Sequence, residues 1–305
     1  MTHVKARNRI HSTSIQQWKK EHEAAIGELK FAAHLIWQSP LSILGLVIIA
    51  AVVCSAVFAP LVAPYPPVYV DMDSKFLPPG TTHILGTDEM GRDIFSRIIY
   101  GSRISLLVSV VVVLVSSGIG VPLGLIAAYY GRRLGEVIMR VTDLFLSLPS
   151  IILTMAFAAA MANKSIYTVM IAVSITWWPV YTRLMYGQTL SAKEKQFVEA
   201  AKAAGASSAR IITRHLFPEC LTSLIVQASL DMGYTILTAA ALGFIGIGAQ
   251  PPTPEWGVMI STGRAYILDS WWISAFPGLA IFITVLAFNL LGDGVRDILD
   301  PHLRR

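Results

Sequence analysis

Residues 199–218 read EAAKAAGASSARIITRHLFP, an alanine-rich, polar and basic stretch in a chain that is 54% hydrophobic and only 14% charged. A connection between packed elements ordinarily needs a few residues, and this one has room for two short helices. Upstream and into it, KEKQFVEAAKAA (193–204) consists of strong helix formers. Gly205 follows where a helix ends on a left-handed residue, which glycine supplies without a Cβ clash. Ser207 or Ser208 can cap a second helix through its hydroxyl. That helix, roughly 209–216, is expected to stop near Pro218, whose ring cannot continue an upstream ladder. The alanines let a partner backbone approach closely, and Glu199 sets one acid among bases. The physics leaves two readings open: a surface that another molecule touches, or an amphipathic loop lying on anionic lipid.

The surroundings of the stretch decide the class of protein. Mean hydropathy is +0.59, and the charged fraction falls well below the ~25% usual for soluble domains. The net charge of +5 would suit nucleic acid only as a clustered basic face. Here Lys and Arg are spread between apolar runs, so no nucleic-acid partner is expected. Cys54 and Cys220 belong to different apolar surroundings and read as small hydrophobes, without disulfide, redox pair or zinc site. Residues 1–40 are too long and charged before the first apolar run for a cleaved signal peptide, and read as a retained cytoplasmic tail.

Six runs approach the ~20 apolar residues that a bilayer-crossing helix needs: 41–63, 104–128, 144–162, 166–186, 221–247 and 271–291. The expected fold is therefore an all-α polytopic membrane protein with six transmembrane helices and both termini on one side. Placing the termini in the cytoplasm puts eighteen Lys and Arg inside and six outside, as the positive-inside rule requires. The organisation that follows is an N-terminal tail (1–40), a first span (41–63), an extracytoplasmic segment (64–103), a five-helix core (104–291) and a cytoplasmic tail (292–305). The loop 188–219, with the opening stretch inside it, faces the cytoplasm. Pro122, Pro149 and Pro179 fall in or beside spans, where membrane helices tolerate kinks.

Several chemistries are missing from the sequence. It has no GxxxxGK[ST] phosphate loop, no HExxH helix and no GxSxG elbow. GFIGIGAQ (243–250) is glycine-rich but lacks a βαβ setting, and no pair of positioned catalytic groups can be assembled. A nucleotide, metal or cofactor site in this chain is not expected, nor is enzymatic activity.

Glu199, Ala200, Ala201, three residues, Gly205, and a proline at 218 resemble the EAA loop of ABC-importer permeases. That pattern runs Glu-Ala-Ala, three residues, Gly, nine residues, Ile, one residue, Leu-Pro. This chain departs from it at His215, in the isoleucine place, and at Phe217, in the leucine place. HILGTDEMGRDIFSRIIYGSRISL (83–106), GAQPPTPEWGVM (248–259) and FPGLAIFITVLAFNLLGDGVRDILDP (276–301) are similar to the C-type permease of the dipeptide, oligopeptide and nickel importers. The resemblance runs from the first span to the C-terminus. It implies a type I ABC importer permease fold in a bacterial inner membrane, and a loop that docks in a cleft of the ATPase subunit. It further implies a homologous second permease, two ATPase subunits that hold the ATP and Mg, and an extracytoplasmic substrate-binding protein. Cargoes across these relatives include dipeptides, oligopeptides, D-alanyl dipeptides, glutathione and nickel. SLPSIILTMAFAAAMA (147–162) and IVQASLDMGYTIL (225–237) look closer to the D,D-dipeptide branch.

Outside the loop, each notable residue has a structural and a functional reading. GTDEMGRD (86–93) is either an ion-paired turn fixing the start of the second span or a contact for the binding protein. Glu255 and Trp256 lie in a proline-rich outer loop; Trp256 is an interface anchor or, with Glu255, part of a docking surface. Trp271 and Trp272 read as aromatic-belt residues. Asp231, the acid well inside an apolar run, bonds a neighbouring span or meets a cationic group of cargo on the translocation path. Arg140 and Asp143 read as a pair on one helical face, and Gly292 to Arg296 as a helix terminus. A rival reading is a self-sufficient secondary transporter using Asp231. It leaves residues 199–218 without a role.

Overall fold

A computed structural model of the chain describes residues 39–161 and 163–299. The expected N-terminal tail therefore lies almost wholly outside the described residues. Those residues form helices and connecting loops, with one isolated bridge between Thr87 and Asp93 in place of any sheet. In chain order the helices are α1 (Pro40–Val57), α2 (Ala59–Val62), α3 (Ile94–Tyr130), α4 (Arg132–Leu146), α5 (Ser150–Ala160) and α6 (Ile166–Lys193). They are followed by α7 (Gln196–Ala203), α8 (Ser208–Ile211), α9 (Phe217–Ile245), α10 (Trp256–Gly263) and α11 (Trp272–Leu299).

Among the described residues, four helical rods are long and apolar enough to cross a membrane: α1, α3, the combined run Ser208–Ile245, and α11. A fifth exists if α4 and α5, which meet at a 90° bend, count as one broken span. The six apolar runs thus do not become six straight spans. Run 144–162 is split between the last turn of α4 and α5, because Pro149 (φ −58°, ψ 118°) cannot carry the ladder through and holds the preceding residue away from helix. Run 166–186 does form a helix, but Thr168, Ser174, Thr176, Thr182 and Arg183 leave it less apolar than the other four. Those side chains turn inward: all but Arg183 are buried.

Small residues bring α3 and α6 together. A Cβ on Gly120 would collide with the Trp178 carbonyl and the Tyr181 side chain, and one on Gly124 with the Thr182 carbonyl. This small-xxx-small spacing lets two backbones touch, and Thr182 Oγ1 donates to the Gly120 carbonyl across the seam at 3.2 Å. At the other edge α1 lies on α11. Gly45 faces the Ala287 backbone and Gly294 faces Ser42 Oγ. Gly294 is consequently buried helix interior, and the helix runs on to Leu299, past the terminus expected near Gly292.

The segment 64–93 is pinned by charge. Asp88 binds Arg92 Nε at 2.7 Å and lies 3.6 Å from Arg97 Nε, and Arg92 reaches Glu89 at 2.8 Å. Asp93 caps α3 by accepting from Ser96 N at 2.7 Å and meets His83 Nδ1 at 2.9 Å. These acids and the two arginines are buried or nearly so, which matches the ion-paired turn rather than an exposed contact. Trp272 is not a belt residue; it is buried, and its Nε1 donates to Thr87 O at 3.2 Å. Arg140 and Asp143 are not partners either. Arg140 pairs with Glu136 one turn back, and Asp143 with Arg183 of α6.

Candidate functional site

The stretch 199–218 folds as two short helices around a glycine turn, and its local chemistry accounts for each step. Gly205 has φ +79° with open space around its Cα, so the backbone angle alone calls for glycine there. Ala206 N bonds to Ala201 O and Gly205 N to Lys202 O, each at 3.0 Å. That is the paired 6→1 and 5→2 pattern of a Schellman ending. Ser207 then caps α8, accepting from Arg210 N at 3.4 Å.

The expected end of the second helix at Pro218 does not occur. After Ile211 the chain takes one π-helical turn, Ile212–Leu216, closed by Phe217 N bonding back to Ile212 O. It then passes into α9 without a break, so Ser208–Ile245 is one rod of 38 residues. Pro218 falls in the first turn of α9, directly after the π turn, and lacks the N–H that would bond back into that turn. The widened turn absorbs its ring.

The loop has an inner and an outer face. Val198, Ile211 and Leu216 are fully buried and share a core with Tyr181, Met185 and Ala192 of α6 and Cys220 of α9. Ala201, Ala206, Ile212 and Phe217 pack at its edge. Glu199, Ala200, Ala203, Ala204 and Gly205 are exposed. Of the sequence-marked residues, Glu199, Ala200, Gly205 and Pro218 therefore lie outward, while Ala201 turns partly inward. His215 sits near the Phe197 ring at 6.5 Å, so the departure from the family pattern is taken up inside the loop. Three further bonds tie the loop down: Lys195 to Glu219, Lys193 Nζ to Ala128 O at 3.2 Å, and Tyr129 to Ser208 at 3.3 Å. Sequence reading missed the seating residues, although the 198/201 spacing on a short amphipathic helix carries their signal.

The other marked residues are not brought to the loop surface. Asp231 is 3% exposed and faces α6 from within α9. Glu255 and Trp256 are buried at 3% and 2%, so neither presents a docking surface. Trp256 Nε1 donates to Ile98 O at 3.0 Å. Glu255 caps α10 by accepting from Gly257 N and Val258 N at 2.9 and 2.8 Å. Burial pushes its carboxyl up to about 7 against the pull of those two bonds. Pro251 and Pro252 remain exposed in that loop. Among the described residues no group of His, Cys, Asp and Glu is placed to hold a metal ion.

Comparison with known proteins agrees with this geometry. Residues 120–305 match the family described as the binding-protein-dependent transport system inner membrane component. Residues 34–79 match the N-terminal TM domain of oligopeptide transport permease C. The chain is 47% identical over 272 residues to the probable D,D-dipeptide transport system permease protein DdpC of Escherichia coli, covering 88% of this chain and 91% of that protein. It is 41% identical to the dipeptide transport system permease protein DppC of Alkalihalophilus pseudofirmus, covering 96% and 92%. It is 44% identical to the di/tripeptide transport system permease protein DppC of Pseudomonas aeruginosa, covering 85% and 88%. Among solved structures, a chain from the inward-facing MetNI methionine ABC transporter superposes with a TM-score of 0.57 at 19% identity, covering 68% of this chain and 98% of that one. That likeness concerns the fold alone.

Proposed function

This chain belongs to the family of binding-protein-dependent transport system inner membrane components, and from that premise we propose that it carries short peptides through the membrane on energy supplied by other subunits. It is a multi-pass permease of a bacterial ABC importer. On this reading it pairs with a homologous second permease, two ATPase subunits and an extracytoplasmic binding protein. ATP and Mg stay on the ATPases. Residues 199–218 and both termini face the cytoplasm, the side on which Lys and Arg concentrate.

The observation that carries the proposal is the form of the loop: an exposed Glu199–Gly205 surface seated on a core, with α8 continuous into α9. A partner that grips the outer face moves α9 with it, because Val198 of α7 is packed in one core with Ile211, Leu216 and Cys220, and α8 runs on into α9. Nucleotide binding by the ATPases then shifts the population between inward-open and outward-open states, to the extent that it favours one position of the loop. The relatives' names point to dipeptides, with the D,D form among them.

The test is uptake by vesicles carrying the complete complex, with labelled L-alanyl-L-alanine and D-alanyl-D-alanine as probes. ATP-dependent uptake that needs the binding protein is the expected result, and the preferred stereoisomer identifies the cargo branch. Gradient-driven uptake by this chain alone, without ATP, overturns the reading.

A further inference from the structure

We propose that Asp231 is a clasp between α9 and α6, closed in one state of the transport cycle and open in the other. The inference rests on the importer reading above and deepens it by naming the positioning residues inside the spans. Asp231 lies fourteen residues past the start of α9 at Phe217, about 21 Å along that helix, and so at membrane depth. One carboxylate oxygen, Oδ1, accepts from Gln227 Nε2 of its own helix at 2.9 Å. The other, Oδ2, is buried and has no partner. Trp177 and Tyr181, one turn apart on α6, belong with Met232 of α9 to one cluster, and Trp177 stacks on Tyr234, which sets both against this part of α9. Yet Trp177 Nε1 and Tyr181 Oη are likewise buried and outside hydrogen-bonding geometry.

Buried polar groups are ordinarily paired. Among the described residues four buried side-chain polar atoms are not, and three of them lie on the contact between α6 and this part of α9. They are one acceptor and two donors, from two different helices. A small approach of α6 and α9 pairs all three together, which is what a two-position contact requires. Every donor around the carboxylate is neutral, so opening it separates no salt bridge. Breaking a buried ion pair at that depth is far costlier.

The patch is joined to both working ends of the molecule. Tyr181 belongs to the core that seats Val198, Ile211 and Leu216 under the loop, and Met232, next to Asp231, packs against that core. On the other side Trp177 stacks on Tyr234 at 4.1 Å, and Tyr234 meets Ser150 at 3.2 Å where α5 leaves the bend. Loop movement therefore reaches the bent span through this contact.

The experiment uses the complete complex in vesicles, the binding protein and labelled alanyl-alanine, and reads peptide moved per ATP hydrolysed. Losing a buried hydrogen bond so that its partner is left unsatisfied costs enough to shift a two-state balance roughly tenfold. Asp231→Asn and Tyr181→Phe are thus expected to lower that ratio about tenfold while ATP hydrolysis persists. The double variant should be no worse than either single one, and Asp231→Glu should recover part of the ratio. If Asp231→Asn does not assemble, Tyr181→Phe is read in the same way. A wild-type ratio in an assembled variant, with only thermal stability reduced, overturns the clasp and leaves a packing role. A wild-type complex without ATP-dependent uptake would instead overturn the importer reading, so the two failures are distinct.

Discussion

At the scale of the residue, Gly205 is the sharpest case in which a single backbone angle dictates the residue type. Its φ of +79° lies where an L side chain is strained, although nothing within 4 Å would obstruct a Cβ. A left-handed angle costs a residue with Cβ roughly 1–2 kcal/mol, and a β-branched one more. Asn tolerates the angle better, through its short polar side chain. That energy is small beside the stability of a membrane bundle but comparable to what sets the position of an exposed turn. Gly205→Val should therefore leave membrane insertion and thermal stability near wild type while uptake per ATP falls severalfold. Gly205→Asn should keep most of it. Normal uptake by the valine variant would show that the turn transmits nothing.

At the scale of the element, α7 was legible because each of its signals acts locally: helix formers, a glycine at the end, a serine after it. The join between α8 and α9 was not. Proline ordinarily ends a helix when it interrupts the interior, but a π turn carries the rod past Pro218, beside Ile211 and Leu216 where they seat on α6, and nothing local in the sequence signals it. Hydropathy likewise found residues 144–162 without their 90° bend, since it counts apolar side chains and not their direction. Glu255 was misassigned for a similar reason: nothing in PPTPEWG reveals which way its side chain points. As the buried cap of α10 it gives that element a pH dependence. Its carboxyl, pushed from 4.5 up to about 7, binds more proton folded than unfolded between those values. Stability must then fall as pH rises through that window, by up to about 3 kcal/mol at 1.36 per unit. The thermal midpoint of the detergent-solubilised protein should drop from pH 5 to 7.5. In Glu255→Gln it should be lower at pH 5, because an acceptor for α10 is lost, and flatter with pH. An equal slope in both proteins would show that another group sets it.

At the scale of the whole molecule, one continuous helical run leads away from the exposed loop. Ser208–Ile245 has 38 residues, roughly 57 Å at 1.5 Å per residue, with the exposed turn at one end and the Asp231 patch near the middle. Two mechanical links could carry the loop's motion: this rod, and the surface tie between Lys195 and Glu219. The tie is about half exposed on both sides, and pairs of that kind contribute ~0–1 kcal/mol, too little to drag a span. The rod is the stiffer link by far, since bending it breaks several backbone bonds together. Inserting two glycines after Leu216 should cut the rod at its π turn, each glycine being ~1 kcal/mol less favourable than alanine within a helix. Complexes carrying the insertion are expected to assemble and hydrolyse ATP, with uptake close to background. Glu219→Ala, which removes only the tie, should keep uptake within about a factor of two. If the insertion transports normally and Glu219→Ala does not, motion passes through the surface contacts and the rod is a passenger.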